Sequence, residues 1–150
     1  MGLLSVYSKC MVTLSSYTSR TTATPAEVYA LWVDPAVWPT WDPEVASVEF
    51  TGAVKLGARG ILTPSSGPRS GFIITDLEPE RVLTNSGRLP GAHLDFIHEV
   101  SPIPSGSELT VTVRTRGPLS GLWGLILKRA MSSAASSSAE GAVAFLESRE

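Results

Sequence analysis

The sequence predicts an α+β fold in which a seven-stranded antiparallel sheet wraps around one long C-terminal helix, with two short helices after the first strand. Residues 117–150 predict the long helix, because apolar residues recur there at the three- and four-residue steps of a buried helical face. These residues are Leu119, Leu122, Trp123, Ile126 and Ala130. The segments upstream are short, β-type and separated by Gly and Pro turns, which favours antiparallel neighbours.

Composition indicates one domain with a substantial core, because 43% of the 150 residues are hydrophobic and 17% are charged. We expect residues 1–10 to form a flexible leader, with Met11 as an alternative start, and residues 11–150 to form the domain. The net charge of -2 and the scattered basic residues disfavour a nucleic-acid partner. No apolar run reaches the roughly 18 residues of a membrane span, so we expect no integral membrane association. A single cysteine, Cys10, fits a cytoplasmic protein without an internal disulfide.

Alternating apolar residues and turn residues predict the strands. The expected strands cover residues 12–22, 45–51, 58–64, 71–77, 81–86, 92–100 and 108–116.

Two short helices are predicted between the first two strands. Thr24 and Glu27 have the spacing of a capping box, with Pro25 at the first helical position. Asp34 is expected to cap the second helix. Three tryptophans in this region predict a packing cluster or, as the alternative, an aromatic cage for a cation: Trp32, Trp38 and Trp41.

The predicted face of the long helix changes from bulky to small side chains after Ile126. Small side chains leave space against a curved sheet, so we expect a pocket beside them, with Trp123 at its wall or mouth. The small residues are Ala130, Ser133, Ala134 and Ser137. Val143 and Leu146 fall off this face, which predicts either a bend near Gly141 or a homodimer contact through the C-terminal helix.

Several short motifs occur in a characteristic order: TPAEVYALW at residues 24–32, DP at 34–35, GAR at 57–59, EPERVL at 78–83, HEV at 98–100, GSEL at 106–109 and GPL at 117–119. Through them the span 12–150 resembles the START-like, helix-grip (SRPBCC) superfamily, and within it the small bacterial polyketide cyclase/dehydrase and lipid-transport group. The resemblance implies a helix-grip fold and a single START-like ligand-binding domain. It does not define the function, because this superfamily hosts many activities on one cavity.

Residues with obvious catalytic chemistry are few. There is no phosphate-binding loop, nucleophile elbow or set of converging metal ligands, and we expect neither metal nor cofactor. Alternation along residues 92–100 places His98 inside and His93, Asp95 and Glu99 outside. His98 is therefore the candidate catalytic residue, as a general acid/base or as a hydrogen-bond donor to a ligand. The alternative is a core histidine whose ring is hydrogen-bonded to a neighbouring backbone group or hydroxyl. Asn85 or Asp76 is the candidate partner of His98.

The predicted function is the binding of a small hydrophobic molecule, such as a lipid, polyketide or aromatic metabolite, between the sheet and the C-terminal helix. Two alternatives are a polyketide cyclase/dehydratase that uses His98, and a protein-interaction module with a vestigial pocket. The expected lining is Phe72, Ile74, Leu83, Asn85, Leu94, Phe96, His98, Val111, Val113, Trp123, Ile126, Leu127, Ala130, Ser133 and Ser137.

Overall fold

The computed structural model describes residues 10–149, so the predicted leader lies almost wholly outside the described residues. Seven antiparallel strands form one sheet, as the sequence predicts. They are β1 (Met11–Thr21), β2 (Val45–Phe50), β3 (Arg59–Pro64), β4 (Ser70–Glu78), β5 (Val82–Leu89), β6 (Ala92–Ile103) and β7 (Gly106–Arg116). Their order in the sheet is β1-β7-β6-β5-β4-β3-β2, so the first strand lies beside the last.

Helices pack against one face of this sheet, which we call the inner face. They are α1 (Pro25–Trp32), α2 (Trp38–Trp41), α3 (Ser120–Leu127) and α4 (Ala134–Glu147), with a 3-10 turn at Pro35–Val37 before α2. Helix α4 lies mainly over β1 and β7, and α1 lies over β5, β6 and β7. Within residues 10–149, no helix combines the length and apolar character needed to cross a bilayer.

The start of α1 confirms the predicted capping box. The backbone N–H of Glu27 donates to Thr24 Oγ1 at 3.2 Å, and the backbone N–H of Thr24 donates to Glu27 Oε1 at 3.1 Å. The prediction for Asp34 is wrong, because its side chain makes no capping hydrogen bond. Its backbone carbonyl accepts from Val37 instead, and the chain forms a 3-10 turn.

The three tryptophans are buried and pack within the core. Trp38 donates its indole N–H to the carbonyl of Trp32 at 3.0 Å, and its ring lies 5.5 Å from that of Phe72 between centroids. Burial of all three rings favours the packing interpretation over the cation cage.

The C-terminal region is helical, but the prediction of one continuous helix over residues 117–150 is wrong. Residues 128–133 form turns that separate α3 from α4. Ser132 Oγ donates to the carbonyl of Arg129, and Ser136 Oγ donates to that of Ser133, so serine hydroxyls compete with the regular helical pattern. The backbone N–H of Ala135 donates to Ser15 Oγ, at a bulge in β1. The sheet therefore sets where α4 begins.

This interruption rotates α4, so the predicted buried face is largely wrong. The structure exposes Leu119, Leu122, Ile126, Ala130, Ser133 and Ala144. The side chains that α4 buries are Ala134, Ala135, Ser138, Ala139, Ala142 and Leu146. Gly141 lies within the uninterrupted helix α4, against the backbone of Trp41. Leu146 is buried and Val143 packs against the core, so neither is left on an exposed surface.

Candidate functional site

The strand residues of the predicted lining share the inner face. The register aligns Leu83, His98 and Val111 in one row across β5, β6 and β7, and Asn85, Phe96 and Val113 in the next. Ile74 pairs with Asn85 from the other side. Because side chains alternate along a strand, these rows point to the same side of the sheet. The buried members of the predicted lining are Phe72, Ile74, Leu83, Asn85, His98, Val111 and Val113.

The helical residues of the predicted lining are only partly brought to this face. Trp123, Leu127 and Ser137 are half-buried. Ile126, Ala130 and Ser133 are exposed, because the turns at residues 128–133 rotate this region. Leu94 and Phe96 remain half-buried on the sheet, where the helices do not fully cover them.

His98 lies on the inner face beneath α1. Its Nδ1 lies 3.0 Å from the carbonyl oxygen of Leu83, and its ring centroid lies 5.3 Å from that of Trp32. A carbonyl only accepts, so Nδ1 carries the proton of the neutral ring and Nε2 is the acceptor. Burial lowers the pKa of His98 to about 4, although hydrogen bonds to backbone groups act in the opposite direction. His98 is therefore neutral at pH 7 and offers a ligand one acceptor nitrogen.

Two polar side chains near His98 have no hydrogen-bond partner among residues 10–149. Asn85, a diagonal neighbour of His98 on the inner face, is 6% exposed, and its amide makes no hydrogen bond to a described residue. The indole N–H of Trp32 is buried and lacks an acceptor. Buried polar groups are nearly always paired with protein, water or ligand. This part of the inner face can therefore offer an indole donor, an amide and an imidazole acceptor to a bound molecule.

A second group of buried polar side chains lies where α2 meets α4. The indole N–H of Trp41 is buried without a partner among the described residues, and the buried hydroxyl of Ser138 lies beside the carboxylate of Asp42. Asp42 is also buried there, and the removal of its carboxyl from water raises its pKa to about 6.

Asp76 is not brought to His98. It pairs with Thr84, which lies on the outer face of the sheet, and its side chain is exposed. Only Asn85 of the two predicted partners therefore shares a face with His98.

Sequence alternation places Asp95 on the outer face but does not reveal that it is buried. Asp95 is 2% exposed and accepts hydrogen bonds from Ser86, Arg114 and Arg116. Arginines at alternate positions 114 and 116, opposite an aspartate in a central strand, are the signal that could have indicated this cluster. Within the described part of the chain, no three His, Cys, Asp or Glu side chains converge as metal ligands.

Comparison with known proteins agrees with this architecture. A profile of the family "Polyketide cyclase / dehydrase and lipid transport" matches residues 13–147, and the chain belongs to that family. No match is found among curated proteins.

Solved structures show the same fold at low sequence identity. The di-domain ARO/CYC StfQ from the steffimycin biosynthetic pathway is 15% identical, with a TM-score of 0.75 over 97% of this chain and 54% of that chain. The present chain thus spans about half of that protein. Norcoclaurine synthase from Thalictrum flavum, in complex with dopamine and hydroxybenzaldehyde, is 12% identical, with a TM-score of 0.70 over 97% and 92% of the two chains. Protein NE0264 from Nitrosomonas europaea is 9% identical, with a TM-score of 0.72 over 95% and 97%.

Proposed function

We propose that this protein binds a small, largely apolar molecule that carries hydrogen-bonding groups, such as a lipid, polyketide or aromatic metabolite, on the inner face of its sheet. The observation that carries this proposal is the set of unpaired polar groups around His98, beside the half-buried Leu94 and Phe96. Apolar walls with a few convergent polar groups are typical of small-molecule sites. The aromatic molecules in the norcoclaurine synthase structure, which has a similar fold, support the same ligand class.

Native mass spectrometry of the purified protein is the direct test. We expect an apolar small molecule to be retained, or a neutral apolar probe such as N-phenyl-1-naphthylamine to bind saturably. Phe96→Ala should weaken probe binding about fivefold through the loss of apolar contact. Ile97→Ala, on the outer face of the same strand, is the matched control and should leave binding unchanged. A protein that binds no apolar molecule or probe would favour an interaction module with a vestigial pocket.

The alternative function is a cyclase or dehydratase that uses His98 as acid/base, with Asn85 positioning a carbonyl. The fixed tautomer of His98, with its lone pair on Nε2, favours this alternative. A pKa of about 4 opposes it, since a general base works best when its pKa is near the operating pH. An NMR titration of His98 with the apolar probe bound separates the two functions. A pKa near neutral would support catalysis, whereas a pKa that stays below about 5 would support binding alone.

For the oligomeric state, we propose a homodimer through the C-terminal region. Helix α3 exposes Leu122, Leu125 and Ile126, with Leu125 82% exposed. An exposed apolar patch can be self-complementary across a two-fold axis, because the same apolar surface of each copy is buried against the other. Light scattering after size exclusion should show a dimer for the wild type and a monomer for Leu125→Gln. Leu56→Gln, at an exposed leucine before β3, is the control, and a wild-type monomer at high micromolar concentration would contradict the proposal.

A further inference from the structure

The outer face of the sheet carries a row of basic side chains that the proposed function does not use. The register aligns Arg88 of β5, His93 of β6 and Arg116 of β7 directly across the three strands. Alternation puts all three on the face opposite to His98. They line an open cleft of about 750 Å³ between the β5–β6 turn and the segment after β7.

A buried carboxylate orients one side of this row. Asp95 Oδ2 accepts from Arg116 Nε at 2.9 Å and from Arg114 Nε at 3.0 Å. Asp95 Oδ1 accepts from Ser86 Oγ at 2.7 Å and from Arg116 Nη2 at 3.3 Å. The guanidinium of Arg116 is therefore held in place before any ligand arrives, which lowers the entropy lost on binding.

The charges around the cleft do not balance. Arg88 and Arg116 line the cleft, and Arg114 lies beside it on the carboxylate of Asp95. Among residues 10–149, these three guanidinium groups and this one carboxylate leave an excess of two positive charges. Burial acts to raise the pKa of Asp95, but hydrogen bonds from Arg116, Ser86 and Arg114 outweigh it and leave the pKa below its ordinary value. Asp95 is thus ionised at neutral pH. The next carboxylate along β6, Glu99, is four residues or roughly 13 Å away.

Arg88 is the basic group that is free to bind. It is exposed and forms no ion pair with any residue of 10–149. None of the described residues that line the cleft is acidic, and several are apolar: Leu89, Pro90, Ala92 and Pro118.

We propose that this cleft binds a phosphate monoester, with Arg88, His93 and Arg116 around the phosphate and the apolar residues against the rest of the molecule. A phosphate monoester carries a charge of about -1.5 to -2 at pH 7, which matches the excess of two positive charges better than a single carboxylate does. Planar guanidinium groups bind phosphate oxygens in pairs, and His93 adds a further ring N–H. The phosphate comes from a phosphorylated metabolite or from a lipid headgroup of the same chemistry.

Calorimetry at constant ionic strength tests the site with phenyl phosphate and with inorganic phosphate. We expect saturable binding of phenyl phosphate, with inorganic phosphate weaker because it lacks the apolar part. Arg88→Gln should weaken binding of phenyl phosphate about tenfold or more, since it removes charge-assisted hydrogen bonds without breaking an ion pair. Arg59→Gln, at an exposed arginine of β3, is the matched control and should leave binding within about twofold.

Vesicle sedimentation distinguishes the two sources of phosphate. A lipid headgroup would be identified if the protein binds phosphatidic acid vesicles but not phosphatidylcholine vesicles, and if Arg88→Gln abolishes that binding. Binding of phenyl phosphate without vesicle binding would identify a soluble metabolite. The proposal would be overturned if neither phenyl phosphate nor phosphatidic acid vesicles bind saturably. An equal loss of affinity in Arg88→Gln and Arg59→Gln would also overturn it. Binding of N-phenyl-1-naphthylamine to the inner face should be unchanged in Arg88→Gln, so the two proposals fail or succeed separately.

Discussion

Asp95 shows at the scale of one residue how a charged side chain is stabilised in the middle of this sheet. The carboxylate is taken out of water, yet every contact it makes is with a donor from a neighbouring strand. Burial of a charge without such donors would cost several kcal/mol. The partners of Asp95 are therefore as important to the fold as the residue itself.

We predict that Asp95→Asn lowers the free energy of unfolding by about 2 kcal/mol, because two guanidinium groups lose the charge that they share. Urea unfolding at pH 7 measures this change. Glu108→Gln, which breaks the exposed pair with Arg20, is the control and should cost less than about 1 kcal/mol. Equal losses in the two variants would show that the burial of Asp95 adds nothing to its ion pairs.

Single elements in this protein begin and pack through specific local contacts. Helix α1 begins with a reciprocal capping box, whereas α4 begins where β1 supplies a hydroxyl. The first contact is between residues three apart in the sequence, and the second joins residues that are far apart.

Thr24→Ala should lower the free energy of unfolding by about 1 kcal/mol, because the N–H of Glu27 loses its acceptor. Thermal and denaturant melts measure the loss. Thr51→Ala is the control and should have the same stability as the wild type. Thr51 is exposed and makes no side-chain hydrogen bond with a described residue. Matching melts for Thr24→Ala and wild type would show that the cap does not contribute.

Two helical glycines should respond to alanine in opposite directions. A methyl group at Gly141 would collide with the backbone carbonyl of Trp41 and touch Pro43, so Gly141→Ala should cost about 1–3 kcal/mol despite the better helix propensity of Ala. A methyl group at Gly121 of α3 meets open space, so Gly121→Ala should be neutral or stabilising by up to about 1 kcal/mol. Chemical denaturation of both variants gives the comparison. A stabilised Gly141→Ala would mean that α4 is not held closely against α2.

At the scale of the whole molecule, two buried groups give opposite contributions to the pH dependence of stability. The pKa of His98 is lowered from 6.5 to about 4, so the unfolded chain binds the extra proton more readily and stability falls as the pH decreases from about 6.5 to 4. The pKa of Asp42 is raised from 3.8 to about 6, so the folded chain holds the proton and stability falls as the pH increases from about 4 to 6. Each effect amounts to about 3 kcal/mol, and they nearly cancel between pH 4 and 6.

Replacement of either Asp42 or His98 should leave the pH dependence of stability that the other residue contributes. Asp42→Asn should gain stability as the pH rises from 4.5 to 6.5, whereas His98→Gln should lose stability over the same range. Urea unfolding at several pH values measures both slopes. Parallel profiles for the two variants and the wild type would show that neither group titrates differently in the folded and unfolded chains.

Local sequence patterns are sufficient to specify the seven strands, the helical character of the C-terminal region, the α1 cap and the face of β6 that carries His98. These features depend on local patterns, since a period of two, a Gly or Pro turn and a capping box each act over a few residues. The predicted strands agree with β1 to β7 to within a few residues. The strand residues of the predicted lining share the inner face for the same reason.

The division of the C-terminal region into two helices, and the choice of the face that it buries, depend on tertiary contacts. Ala and Ser suit an exposed or a buried position equally well, so the run of residues 130–144 contains no strong hydrophobic pattern. The contacts of Ala135 with Ser15 and of Gly141 with Trp41 decide its orientation instead. The burial of Asp95 likewise depends on β5 and β7, and the unpaired polar groups around His98 depend on helix α1. These are contacts between residues far apart in the chain, which local sequence patterns do not specify.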